Sequence, residues 1–89
     1  MDDTLKKAFL SLLDGMLDSL YNSSCNDWLL DDTPENRKLH DRTVAHAHGI
    51  GEAEARERFP PFFLGGKIVF DDYRIVELFA AKLREETKL

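Results

Sequence analysis

Apolar residues recur at three- and four-residue steps near the start of the chain. Leu5, Phe9, Leu12, Leu13, Met16, Leu17, Leu20 and Tyr21 form one broad stripe, which predicts an amphipathic helix over residues 4–22. Asp3 or Thr4 supplies its cap, and Asn22-Ser23-Ser24 ends it. Leu10 falls off the stripe and reads as an exposed apolar contact. A polar connection over 23–33 carries one apolar knot, Trp28-Leu29-Leu30, expected to plug into the core as a short turn. Thr33-Pro34-Glu35 then opens a second helix, with Thr33 as cap, Pro34 at the first helical position and Glu35 at the positive end. It runs to about His48, with Leu39, Thr43 or Val44, and Ala47 inward. Gly49 stops it and Ile50 makes the hydrophobic contact that accompanies such a stop.

Residues 51–58 predict a short third helix of alanine and charges, which Phe59-Pro60-Pro61 must end. There the period changes. Phe62-Phe63-Leu64, Gly65-Gly66 and Lys67-Ile68-Val69-Phe70 spell a hairpin around a two-glycine turn. Such a turn pairs Leu64 with Lys67, Phe63 with Ile68 and Phe62 with Val69, and leaves both faces of the ribbon apolar. An isolated hairpin is marginal, so this one must pack on helices or on a partner. Asp71 or Asp72 caps a last helix over 72–87, whose stripe is Ile75, Val76, Phe79 and Leu83.

The predicted architecture is mainly α with one β-hairpin, in a single domain over 1–89. Residues 34–87 have the order of a small winged helix-turn-helix-like unit, and the N-terminal amphipathic helix, 4–22, is extra to it. The N-terminal stripe is long for a chain whose other helices are short. It offers Phe9, Leu10, Leu13 and Leu17, together with Phe63 of the ribbon, as surface for a protein partner or a homodimer.

Charge alters this picture. The net charge is −5, and all of it sits in residues 1–34, where seven acids face only Lys6 and Lys7. Residues 35–58 and 59–89 are each balanced, so any phosphate-binding surface belongs there. No run of 18 apolar residues occurs, and no membrane span is expected. The acidic start, Met1-Asp2-Asp3, is unlike a secretory leader. The single cysteine, Cys25, permits no internal disulfide and suits the reducing cytoplasm.

Chemistry is sparse. His46 and His48 lie two apart and so on different sides of a helix. With His40 they form no ligand set, since no cysteine or second cluster completes four ligands. Cys25 stands near Asp27 and lacks the positive surroundings that lower a thiol pKa. No paired acid in an apolar setting emerges. The reading is therefore non-catalytic, with no catalytic residue, no metal, no cofactor and no evident small-molecule substrate.

The element order carries the functional signal. A helix, the Gly49-Ile50-Gly51 turn and a second helix can form a helix-turn-helix, with the hairpin as a wing. Arg56 and Arg58 then project from the second helix, Lys67 sits beside the wing tip, and Arg37, Lys38 and Arg42 reach phosphates. The stretch Phe59-Pro60-Pro61-Phe62-Phe63-Leu64-Gly65-Gly66-Lys67-Ile68-Val69-Phe70-Asp71-Asp72 resembles the wing of excisionase-like winged helix-turn-helix proteins of phage and bacterial type. Ile75, Val76 and Phe79 stand where that family's closing helix is apolar, and Val44, Ala45, Gly49 and Ile50 match its turn. The resemblance covers roughly residues 43–84. It implies a small regulator of double-stranded DNA, with Arg56, Arg58 and Lys67 as contacts and Arg42 and Lys38 on phosphates. The alternative is an acidic protein–protein interaction module, such as an inhibitor, antirepressor or regulatory subunit. The net charge and Glu52, Glu54 and Glu57 favour that alternative.

Overall fold

The computed structural model describes residues 3–22, 28–70 and 72–87. Four helices and three strands follow in the order α1 (Asp3–Asn22), β1 (Trp28–Asp31), α2 (Pro34–His48), α3 (Glu52–Arg58), β2 (Phe63–Leu64), β3 (Lys67–Phe70) and α4 (Tyr73–Glu86). The expectations for Ser23, Ser24, Cys25 and Asp71 lie outside the described residues, as do those for the side chains of Leu20 and Tyr21.

Helix α1 turns Phe9, Leu13, Met16 and Leu17 inward, while Leu12 is exposed. Leu10 is half-buried against the same core rather than free. The buried edge lies along α4, whose Val76, Phe79, Ala80 and Leu83 are buried in turn. An Arg84–Asp14 ion pair at 2.6 Å joins the two helices at their surface. Asp72 starts α4 by accepting a hydrogen bond from the Arg74 backbone N–H at 3.0 Å.

The strands form a three-stranded antiparallel sheet, ordered β1-β3-β2. This corrects the expectation of a lone hairpin. Trp28-Leu29-Leu30 is a strand, not a turn, and pairs Trp28 with Phe70, Leu29 with Val69 and Leu30 with Ile68. The physical reason lies in β3. Ile68, Val69 and Phe70 are buried in succession, as a strand covered on both faces must be. The two-residue β2 satisfies only one edge of β3, and β1 takes the other. The hairpin itself has the expected register, Phe63 with Ile68 and Leu64 with Lys67. Val69 N–H donates to the Phe62 carbonyl at 2.9 Å. Gly65 and Gly66 both have positive φ, 58° and 76°, the geometry that a tight right-twisted hairpin turn requires.

Helix α2 is closed at both ends by its own sequence. Thr33 Oγ1 accepts from Asn36 N–H at 3.1 Å, and Gly49 ends it in the left-handed conformation at φ 66°. Ile50 N–H donates back to the Ala45 carbonyl at 3.0 Å. Leu39, Thr43 and Val44 are buried as expected, and so are His40 and Asp41. The burial is broad because α2 is covered on several sides, by α4, by α3 and by β3. Helix α3 is anchored by one buried residue, Ala55, in a small cluster with Val44 and Ala45 that Ile50, Phe59 and Ile75 border.

Leu39 is fully enclosed in the main core. Leu39→Ala is expected to lower stability by about 2–5 kcal/mol in urea unfolding. Leu64→Ala, at a site 55% exposed, is expected to stay within about 0.5 kcal/mol.

Candidate functional site

An open cleft of about 350 Å³ lies between α2, α3 and the approach to β2, lined by Pro34, Arg37, Lys38, Asp41, Arg56 and Pro61. The capped start of α2 positions Arg37 and Lys38 on its exposed side. Arg37 forms a fork with Asp32, Nε–Oδ1 at 2.5 Å and Nη2–Oδ2 at 2.8 Å. Hydrogen bonding from Arg37 holds the Asp32 carboxyl below its ordinary value, and the same bond raises Arg37. The Arg37 guanidinium also stands 5.3 Å from the centre of the Phe63 ring. Phe62, beside it, is 68% exposed. Lys38 is exposed and makes no ion pair among the described residues. On the opposite wall Arg56 Nε donates to Asp41 Oδ2 at 2.9 Å, and the Asp41 side chain is only 4% exposed. The guanidinium thus neutralises a nearly buried carboxylate.

The five cations expected to contact DNA do not form one positive surface. Arg56 is joined to Asp41, Arg58 to Glu54 at 2.9 Å, Arg42 to Glu52 at 3.2 Å, and Lys67 to Asp31 across the sheet. Lys38 alone of the five has no such partner among the described residues. Glu52 and Glu54 therefore act less as repellent charges than as internal partners of Arg42 and Arg58. The residues expected at a protein interface also divide. Phe9, Leu13 and Leu17 are core residues and Leu10 packs against them, whereas Phe63 is 41% exposed. A ring held in the core meets a partner only if the core opens, so α1 presents little of the expected dimer surface.

Sequence reasoning placed Phe62 and Phe63 on opposite faces of the ribbon but did not name the exposed Phe62 ring as a contact residue. The Asp41–Arg56 pair spans fifteen positions and leaves no periodic signal.

The three histidines each lie against an aromatic ring. His40 meets Phe70 edge-on at 5.3 Å, His46 lies 6.0 Å from Phe79, and His48 stacks on Phe59 at 4.2 Å.

Against known proteins, the model of the U1 zinc finger family matches residues 21–52, about a third of the chain. No curated protein and no solved structure matches. This match overturns the resemblance to excisionase-like proteins. It covers β1 and α2 and ends as α3 begins, leaving out the hairpin and closing helix on which that resemblance rested. The matched segment also carries a spacing that the sequence reading passed over. Cys25 precedes His40 by fourteen intervening residues, and five separate His40 from His46, which gives three of the four ligand positions of a paired-cysteine, paired-histidine finger. Asn22 stands where the first cysteine of such a pair belongs.

A zinc site needs converging ligands at about 2.0–2.3 Å, and the described residues do not fit one. A regular helix rotates about 100° per residue, so His40 and His46 point about 120° apart around α2. One ring is buried on Phe70 and the other is beside Phe79. No group of three or more His, Cys, Asp or Glu among the described residues could hold a metal ion. No described helix is long and apolar enough to cross a membrane.

Arg56→Ala leaves the Asp41 carboxylate nearly buried without its cation. The expected loss is about 1–3 kcal/mol by chemical denaturation, against less than about 0.5 kcal/mol for Arg58→Ala, whose pair with Glu54 is exposed on both sides. The Asp32–Arg37 fork predicts a pH dependence. Because the folded carboxyl titrates below its unfolded value, its contribution is complete above the ordinary aspartate range, about pH 4. It is lost as pH falls through the folded value. Asp32→Asn should therefore melt below the parent at pH 7, and the two should converge near pH 2.

Proposed function

We propose that this chain is a small, non-catalytic nucleic-acid-binding protein that takes an unpaired strand in the cleft beside α2. The observation that carries the reading is an open cleft lined by the uncompensated Lys38 and by Arg37, whose guanidinium lies over the Phe63 ring, with the exposed Phe62 next along the chain to both Phe63 and the lining residue Pro61. Cations that follow a phosphate backbone, with ring faces for bases to stack on, are what single strands require. The U1 zinc finger match supports the reading, because Arg37, Lys38 and Arg42 all lie in the matched segment. The order of elements supports it more broadly. Helix, strand, helix, helix and hairpin, with β3 central in the sheet, is an order compatible with a winged helix-turn-helix reading. Double-stranded DNA read by α3 has less support, since Glu52, Glu54 and Glu57 line that short helix and Arg56 and Arg58 are paired. The lone Cys25 suits the cytoplasm.

A second reading is an acidic protein-interaction module. It is favoured by exposed Leu64, Tyr73 and Leu78, at 55%, 47% and 52%, on a chain of net charge −5. Recovery of a stoichiometric protein partner under gentle conditions, with no nucleic-acid binding, would select it.

Fluorescence titration with single-stranded RNA, single-stranded DNA and a duplex at several salt concentrations tests the first reading. Binding to single strands is expected, with a log–log salt slope of about −1.4 for the two cations Arg37 and Lys38. Phe62→Ala should weaken it by about 1–3 kcal/mol, and Lys38→Ala should flatten the slope. Absence of binding at low salt, or affinity indifferent to salt, would refute it. Preference for the duplex would move the interface to α3.

A further inference from the structure

We infer that the segment matching a zinc finger keeps its shape without zinc, and that β3 and α4 provide the closure that a metal provides in a four-ligand finger. The inference is independent of whether nucleic acid is bound. It rests on three observations.

The first is the donor set. A structural zinc site is closed by four protein ligands. The matched residues, 21–52, hold one cysteine, and the position three before it is Asn22. The second is direction. His40 and His46 sit on an unbroken helix, Pro34–His48, six residues apart, so their rings diverge. Residues that adjoin on one face of a regular helix are three or four apart. The third is what the rings do instead. His40, 8% exposed, is packed edge-on against Phe70 of β3, and His46 lies beside Phe79 of α4. The buried His40 ring has become a contact between α2 and β3, beyond the matched segment, while the exposed His46 ring lies beside α4.

Those elements close the unit. A finger of this length buries too little on its own, which is why such units unfold when the metal is removed. Here β1 has a full ladder of four pairs on β3. Leu30 of β1 and Leu39 of α2 share one core with Ile68, Phe70, Phe79 and Leu83. The strand and helix that a metal would clamp together are held by a third strand and a fourth helix.

The test measures bound zinc by mass spectrometry on chain purified without added metal, then thermal unfolding with and without a strong zinc chelator. Cys25→Ser, His46→Ala and Phe70→Ala are measured alongside. The expected result is a melting midpoint that the chelator shifts by less than about 1 °C, a small fraction of the 4–8 °C that about 1 kcal/mol produces in a domain this size. Cys25→Ser and His46→Ala should melt with the parent, while Phe70→Ala should melt several degrees lower. Zinc that copurifies but is removed with no change in midpoint supports the inference equally. About one zinc per chain, a chelator-induced collapse of the midpoint, and the same collapse in Cys25→Ser would overturn it. Cobalt substitution separates the cases independently, since a thiolate charge-transfer band that Cys25→Ser abolishes would also overturn it.

Discussion

Burial of β3 on both faces is the constraint from which the rest of the structure follows. Ile68, Val69 and Phe70 have no exposed side, so the strand must have a neighbour along each edge and cover above and below. The glycine-turned hairpin supplies one edge and the Trp28-Leu29-Leu30 knot supplies the other. Packed helices, α1 and α2 against α4, provide the bulk of the cover. Once β3 is placed, α2 lies against it through His40, and the direction of α2 sets where Arg37, Lys38 and Asp41 emerge. The cleft is thus positioned by a strand that contributes nothing to its lining.

Much of the fold could be read along the chain because its punctuation is local. Thr33-Pro34 and Gly49 bracket α2 within a residue of the expected ends, and Gly65-Gly66 sets the hairpin register. The apolar side of α4 was legible as Val76, Phe79 and Leu83 because helical period survives in a short window. The third strand was not legible in the same way. A four-residue apolar run beside polar residues is compatible with a turn or a strand, and only its distant partner decides. The double-sided apolarity of the hairpin was the one hint that another strand was needed.

The site was less legible than the fold. Counting cations gave Arg56, Arg58, Lys67, Arg42 and Lys38 as a surface, but counting cannot show that four of them have acid partners, three of these from other elements. Asp41 to Arg56 and Asp31 to Lys67 are tertiary pairings with no pattern in sequence. The histidines illustrate the converse. Their spacing is legible and follows a metal-binding pattern, yet His40 is buried against Phe70, and His46 and His48 lie exposed beside other rings. Spacing reports ancestry or convergence of pattern, whereas direction of the side chain determines chemistry.

The shortness of β2 has a further consequence. Phe62, Phe63 and Leu64 make an apolar run beside an open sheet edge, a combination that invites edge-to-edge stacking between copies. With only two residues in ladder register and a twisted glycine turn directly after them, that edge is too brief a template for another strand to extend. The chain can therefore leave two phenylalanine rings near solvent while remaining guarded against assembly into fibres.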